Sequence, residues 1–304
     1  MIFRRQKWIA PARAGMVGVM LAVALTMAVA PVGAAPGSGS AAPVVSAGTV
    51  IEPAIDCLPN SARPNPVIVL PGADGGTADT AAQWGPMVSA LRNEGACALV
   101  FQGGIVDGKR WAGDMPSAAR QLAQFVAKVK ATTGAAKVDI VAHSAGTFVA
   151  NYFVKVLGGA ADVPNMVLLT PEARGCDGVG FLAQYGLKDL PITPVQLVTA
   201  LPFLVPVLST LMPSMANALQ LTPASEVYKA VMDGPLVQPG VRYSVLATKN
   251  DGVATPPGVC SFITEPGVDN VFYEDLFPGS PAVDHSTLRS SPDTAKWVVE
   301  QLYS

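Results

Sequence analysis

The sequence predicts an α/β fold: a mostly parallel sheet with helices on both faces and an apolar cap segment. Three observations predict it. The continuous apolar run Pro66-Val67-Ile68-Val69-Leu70 reads as a parallel strand buried on both faces, and Val138-Asp139-Ile140-Val141-Ala142 as a further strand. Stretches with apolar residues three and four apart alternate with these runs, the order of units that pack helices on both sides of a parallel sheet. Of the 304 residues, 50% are hydrophobic and 14% are charged, so a large core is available.

The elements follow in order. Arg4, Arg5, Lys7 and Arg13 precede an uncharged run from Gly15 to Val32 that ends in Val32-Gly33-Ala34. A basic leader, an apolar run and small residues at the end describe a secretory signal peptide, residues 1–34, cut after Ala34. A membrane anchor is the alternative, because about 18 apolar residues reach the lower limit for a span. Residues 35–50 are dominated by Ala, Pro, Gly, Ser and Val and read as a flexible tail. One domain is expected over 51–304.

Within it, Pro66 to Leu70 is the first strand, stopped by Pro71-Gly72. A helix over Ala81 to Arg92 and a strand over Ala96 to Phe101 follow. Ser117 to Lys130 carries Leu122, Phe125, Val126 and Val129 on one helical face. Val138 to Ala142 is a strand that runs straight into a helix over Ala145 to Leu157. Strands are expected at Met166 to Leu169, Tyr243 to Ala247 and Asn270 to Tyr273. A last helix spans Ser291 to Leu302, with Ser291 as its cap and Pro292 at the first helical position. Residues 187–240 break the alternation, being rich in Leu, Val and Pro and almost uncharged until Glu226. They read either as core helices punctuated by proline or as a cap presenting apolar surface to an acyl chain.

Composition excludes some classes. The net charge is −2 and no basic run follows the leader, which argues against nucleic acid. Cys57, Cys97, Cys176 and Cys260 make an even count that suits two disulfides in an exported chain, with three pairings open. With only His143 and His285 besides, a zinc site is not expected.

The strongest chemical signal is Ala142-His143-Ser144-Ala145-Gly146, after a strand and at the opening of a helix. That is the context of a nucleophile elbow at the top of an α/β-hydrolase sheet. Small residues two before and two after the serine let strand and helix backbones pass closely. A serine hydroxyl needs a base at neutral pH. The side chain of His143 should point away from that of its neighbour, so His143 reads as a packed neighbour without chemistry. His285, in the loop Val283-Asp284-His285-Ser286, is left as the base. The acid that orients it should lie past a strand between Ser144 and His285. Asp251, after the strand Tyr243 to Ala247, fits best; Glu172 is the rival, and Asp284 is too close to the histidine to reach its ring. The N–H groups of Ala145 and Ala73 are the expected oxyanion donors. The loop Pro71-Gly72-Ala73-Asp74-Gly75-Gly76 lacks the spacing of a phosphate cradle.

Together these residues resemble the class 2 lipases, secreted α/β-hydrolases of actinobacteria distantly related to the fungal lipase B type. The resemblance rests on Cys57, Pro64 to Gly72, Trp84, Gly95-Ala96-Cys97, Val138 to Ser144, Pro239 to Thr248, Asp251, Thr255-Pro256 and Asp284-His285. It implies the triad Ser144, Asp251 and His285, and disulfides Cys57–Cys97 and Cys176–Cys260. The chain departs from the family at Ala73, where a hydroxyl could add a third oxyanion donor, at Ala142 and Ala145 around the serine, and at Gly252-Val253-Ala254 after the acid. The expected function is a secreted serine ester hydrolase, a lipase or carboxylesterase. It would act as a monomer on an ester or lipid, with no cofactor, metal or nucleic acid. An acyltransferase acting on envelope lipids and a hydrolase-like lipid binder without turnover are the other readings.

Overall fold

The computed structural model describes residues 45–183, 192–211 and 216–303. The expected leader and most of the expected tail lie outside them. The strands are β1 (Thr49–Ile51), β2 (Val67–Leu70), β3 (Ala98–Val100), β4 (Gln102–Ile105), β5 (Asp139–His143), β6 (Asn165–Leu169), β7 (Arg242–Ala247) and β8 (Val268–Phe272). The main helices are α1 (Thr80–Asn93), α2 (Met115–Thr133), α3 (Ala145–Asn151), α4 (Val179–Ala183), α5 (Pro194–Ala200), α6 (Leu204–Leu211), α7 (Ala216–Gln220), α8 (Glu226–Met232), α9 (Tyr273–Leu276) and α10 (Pro292–Tyr303).

Six strands form one parallel sheet in the order β3-β2-β5-β6-β7-β8. The β2 strand shows why its sequence is apolar at every position. Val67 and Val69 face Trp84 and Met87 of α1 and Trp297 of α10. Ile68 and Leu70 face Phe125 of α2 and Phe148 of α3. Both faces are covered, so alternation is lost. Each such side chain contributes about 1.5–3 kcal/mol by leaving water. Local signals set the helix bounds. The Asp114 carboxylate accepts the Ser117 N–H at 2.9 Å to start α2, and Gly134 ends it at φ 73°.

The chain leaves β2 for β3 on one side and returns to β5 on the other, with Leu70 opposite Ala142. The strand order therefore reverses at β2 and β5, and a crevice opens at their C-terminal ends.

Three expectations are corrected. The strand expected over 96–101 ends at Val100, and the chain then enters β4, which pairs antiparallel with β1 in a separate two-stranded sheet. The last residues of the expected tail thereby become structured: the β-branched run Thr49-Val50-Ile51 pairs with β4, and Ser46 O accepts the Asp114 N–H at 2.7 Å. The helix expected over 145–157 is α-helical only to Asn151, with a π-helical turn over Tyr152–Val156.

The apolar segment 187–240 divides. Residues 187–191 and 212–215 lie outside the described residues. Val195 and Val198 of α5 and Ala218 and Leu219 of α7 line the crevice, whereas Val231 and Met232 of α8 and Leu236 beyond it join the main core. The segment therefore supplies apolar side chains both to the crevice wall and to the core.

Candidate active site

Ser144 lies between β5 and α3 at φ 51° and ψ −130°, a left-handed backbone that a non-glycine residue rarely adopts. The turn is tight because β2 crowds it. A Cβ on Gly146 would lie 2.5 Å from Pro71 O and 2.8 Å from Leu70 O, and one on Gly72 would lie 2.5 Å from His143 Nδ1. Only glycine fits at these two positions. Ala142 is fully buried beside Leu70, where one methyl is tolerated.

Ser144 Oγ lies 2.8 Å from His285 Nε2 and can donate to it. His285 Nδ1–H donates to Asp251, at 2.9 Å to Oδ2 and 3.0 Å to Oδ1. Asp251 Oδ1 also accepts the N–H groups of Val253 and Ala254, each at 2.8 Å, which fixes the carboxylate in its turn. All three residues are buried. Burial alone would lower the His285 pKa. The hydrogen bond from the ring to Asp251 outweighs it, with that carboxylate's charge and those of Glu172 and Asp74, and the pKa is raised.

The other acids have different surroundings. Glu172 lines the crevice and accepts no hydrogen bond from the described residues; burial pushes its pKa up. The Asp284 carboxylate accepts the N–H groups of Ser286 and Thr287 and so shapes the turn beside His285.

His143 does more than its sequence context indicates. Its ring is fully buried, and burial drives its pKa down to about 3. The neutral ring donates its Nε2–H to the main-chain carbonyl of His285 at 2.7 Å, so His143 holds the backbone of the candidate base. No sequence signal marks this contact, because the acceptor is a backbone oxygen 142 residues away.

The loop after β2 was expected to supply an oxyanion donor. Neither Ala73 nor Ala145 donates its N–H to an acceptor among the described residues, and both line the crevice beside Ser144. The Asp74 side chain accepts the Ser286 hydroxyl at 2.7 Å and is ion-paired with Arg289. Burial would raise its pKa, but His143, Arg289 and Ser286 together bring it down to about 2. Arg110 and Trp111, which sequence reasoning passed over, also bind this loop.

The crevice has a volume of about 320 Å³. Val195, Val198, Leu219 and Leu221 line it together with Ser144 and His285. Disulfides join Cys57 to Cys97 and Cys176 to Cys260, and Cys176 and Cys260 also line the crevice. Among the described residues, no group of three or more His, Cys, Asp or Glu is arranged to hold a metal ion.

Comparisons with known proteins agree with this architecture. Residues 64–171 match the family model of lipase (class 2). No curated protein sequence is significantly similar to the chain. Among solved structures, a lipase of Bacillus licheniformis in mature form is similar over 84% of this chain and 99% of its own, at 14% identity and a TM-score of 0.56. An epoxide hydrolase of Vigna radiata is similar over 83% of this chain and 92% of its own, at 15% identity and a TM-score of 0.51. A structure from a study of carboxylesterases of Nitrososphaera gargenis is similar over the same shares, 83% and 92%, at 11% identity and a TM-score of 0.50. The fold is that of the α/β-hydrolases, and over residues 64–171 the sequence matches the class 2 lipases.

Proposed function

We propose that this protein is an exported serine ester hydrolase, a lipase or carboxylesterase, working through an acyl-enzyme on Ser144. One observation carries the reading: a buried hydrogen-bonded chain from Ser144 Oγ through His285 to Asp251 opens on a crevice also lined by Ala73 and Ala145, whose N–H groups have no acceptor among the described residues.

The chemistry follows from those groups. Ser144 Oγ attacks the ester carbonyl carbon while His285 Nε2 takes the hydroxyl proton. The carbonyl oxygen becomes an oxyanion and accepts the N–H groups of Ala73 and Ala145. Asp251 keeps the ring tautomer that leaves Nε2 free and offsets the imidazolium charge. The C–O bond to the leaving alcohol breaks, and His285 returns the proton to that alcohol. Water then repeats the sequence on the acyl-enzyme, giving the carboxylic acid and free Ser144.

The apolar side chains of α5 and α7 along the crevice support a hydrocarbon acyl chain as the part that binds there. Phe203, 64% exposed between α5 and α6, and the half-exposed Leu197 and Val207 on these helices leave apolar side chains open to solvent, which suits substrates in a lipid phase. The basic leader with its apolar run supports export, and two disulfides are compatible with an oxidising compartment. Labelling with a fluorophosphonate, followed by peptide mapping, tests the nucleophile. The adduct is expected on Ser144 and is expected to vanish in His285→Ala. An adduct on another residue of the folded protein would overturn the assignment.

A further inference from the structure

The stretch 71–76 after β2, ahead of a 3-10 turn at Thr77–Asp79, is neither helix nor strand, yet three of its carbonyls share one partner. Arg110 Nε–H donates to Gly72 O at 2.8 Å, one Nη1–H donates to Gly76 O at 2.8 Å, and an Nη2–H donates to Asp74 O. The two remaining guanidinium hydrogens go to Thr80 Oγ1 at 2.7 Å and Gln83 Oε1 at 3.0 Å. A guanidinium has five N–H donors, and here all five are used. Arg110 is 1% exposed, so its charge is spent on this loop and not on solvent. The next residue continues the pattern, since Trp111 Nε1–H donates to Pro71 O at 2.5 Å. Trp111 holds φ 55°, a costly backbone for a bulky side chain, which persists only where the surroundings enforce it.

The consequence lies in the peptide planes. In a trans peptide the C=O and the following N–H point in opposite directions. With Gly72 O turned to the guanidinium, the Ala73 N–H is turned away from it. Ala73 lines the crevice with Ser144, and its N–H has no other acceptor among the described residues. A charge-assisted bond to Gly72 O also polarises that amide and makes its N–H a stronger donor. The opposite side of the loop is anchored separately, because the Asp74 carboxylate binds Ser286 and Arg289 next to the candidate base.

We propose that Arg110, assisted by Trp111, is a positioning residue for the oxyanion site: together they hold the carbonyls of Pro71, Gly72, Asp74 and Gly76 so that the Ala73 N–H faces the reacting carbonyl. This rests on the ester-hydrolase reading. Lysine could not substitute, since its three donors radiate from one nitrogen and cannot reach carbonyls spread along a loop.

The test measures p-nitrophenyl ester hydrolysis by the wild type, Arg110→Ala, Arg110→Lys and Trp111→Phe, together with inhibition by an alkyl boronic acid. The boronate forms a tetrahedral adduct on the serine and so reads the oxyanion site without turnover. Arg110→Ala is expected to lose about 10²–10³-fold in kcat, the usual effect of losing one oxyanion donor, with KM little changed. Boronate affinity should weaken in parallel. Arg110→Lys should not recover activity, whereas millimolar guanidinium added to Arg110→Ala should restore part of kcat and ammonium should not. Trp111→Phe, which keeps the buried ring and loses one bond, should show a smaller loss with the same signature. It carries the test if Arg110→Ala does not fold. Folded variants with wild-type kcat and boronate affinity, or with a loss confined to KM, overturn the proposal and leave the ester-hydrolase reading standing. A folded wild type that turns over no ester overturns both.

Discussion

His285 concentrates the energetics of the candidate site on one side chain. It is 3% exposed, and burial disfavours an imidazolium. The hydrogen bond to Asp251 at 2.9 Å and that carboxylate's charge, with the charges of Glu172 and Asp74, more than offset this, so the ring titrates above its ordinary value of 6.5. The sign of the pH dependence follows. The base works when neutral, so kcat/KM should rise with pH along an acid limb centred above 6.5. Replacing Asp251 with Asn removes the charge and leaves burial, so the limb should move to lower pH while the maximal rate falls about 10³–10⁴-fold. A pH–rate profile of wild type and Asp251→Asn checks this, and a limb that stays in place contradicts the pairing. That Ser144, His285 and Asp251 would come together was legible because identity and position constrain them: a serine between a strand and a helix, one remaining histidine, and an acid just past a strand. Arg110 and His143 were not legible as positioning groups. Their partners are main-chain carbonyls, which any residue carries, and no residue pattern announces them.

The elements around the crevice are fastened by the two disulfides in different ways. Cys57–Cys97 joins the segment before β2 to the entry of β3 across 40 residues, away from the crevice. Cys176–Cys260 spans 84 residues and ties the segment after β6 to the loop beyond Asp251, with both cysteines lining the crevice. Loop-closure entropy puts the first at about 4 kcal/mol and the second somewhat higher. Cys57→Ala/Cys97→Ala should therefore lower the melting temperature and spare kcat. Cys176→Ala/Cys260→Ala should lower both, since Ala254 and Asp251 lie on the loop it restrains. Thermal melts and ester assays on both double variants separate the two, and an unchanged kcat in the second removes the link between that bridge and the site. At this scale the buried strands could be read from apolar runs, whereas the cap of α2 at Asp114 lies ahead of the start expected at Ser117. The β1–β4 pairing could not, because it joins segments about fifty residues apart. Nor could the division of residues 187–240, because crevice-lining and core helices both need apolar side chains.

Across the whole molecule, one topological fact assembles the site. The chain departs from β2 in one direction and returns at β5 in the other. The loops after these two strands therefore meet over one crevice, carrying Ala73 and Ser144 respectively. Asp251 and His285 arrive from loops after β7 and β8, while α5 and α7 contribute apolar side chains to the crevice. The fold class was legible because alternating strand and helix signals run through most of the chain. The partners of the crevice-facing groups depend on contacts between distant segments and emerge only in three dimensions. Hydrolysis of p-nitrophenyl esters from short to long acyl chains, by the wild type and by Ser144→Ala, tests the central claim most directly. The account predicts turnover by the wild type and a loss of at least about 10⁴-fold in Ser144→Ala, with its melting temperature preserved. A Ser144→Ala protein that keeps its rate, or a folded wild type inert toward every ester in the series, contradicts it.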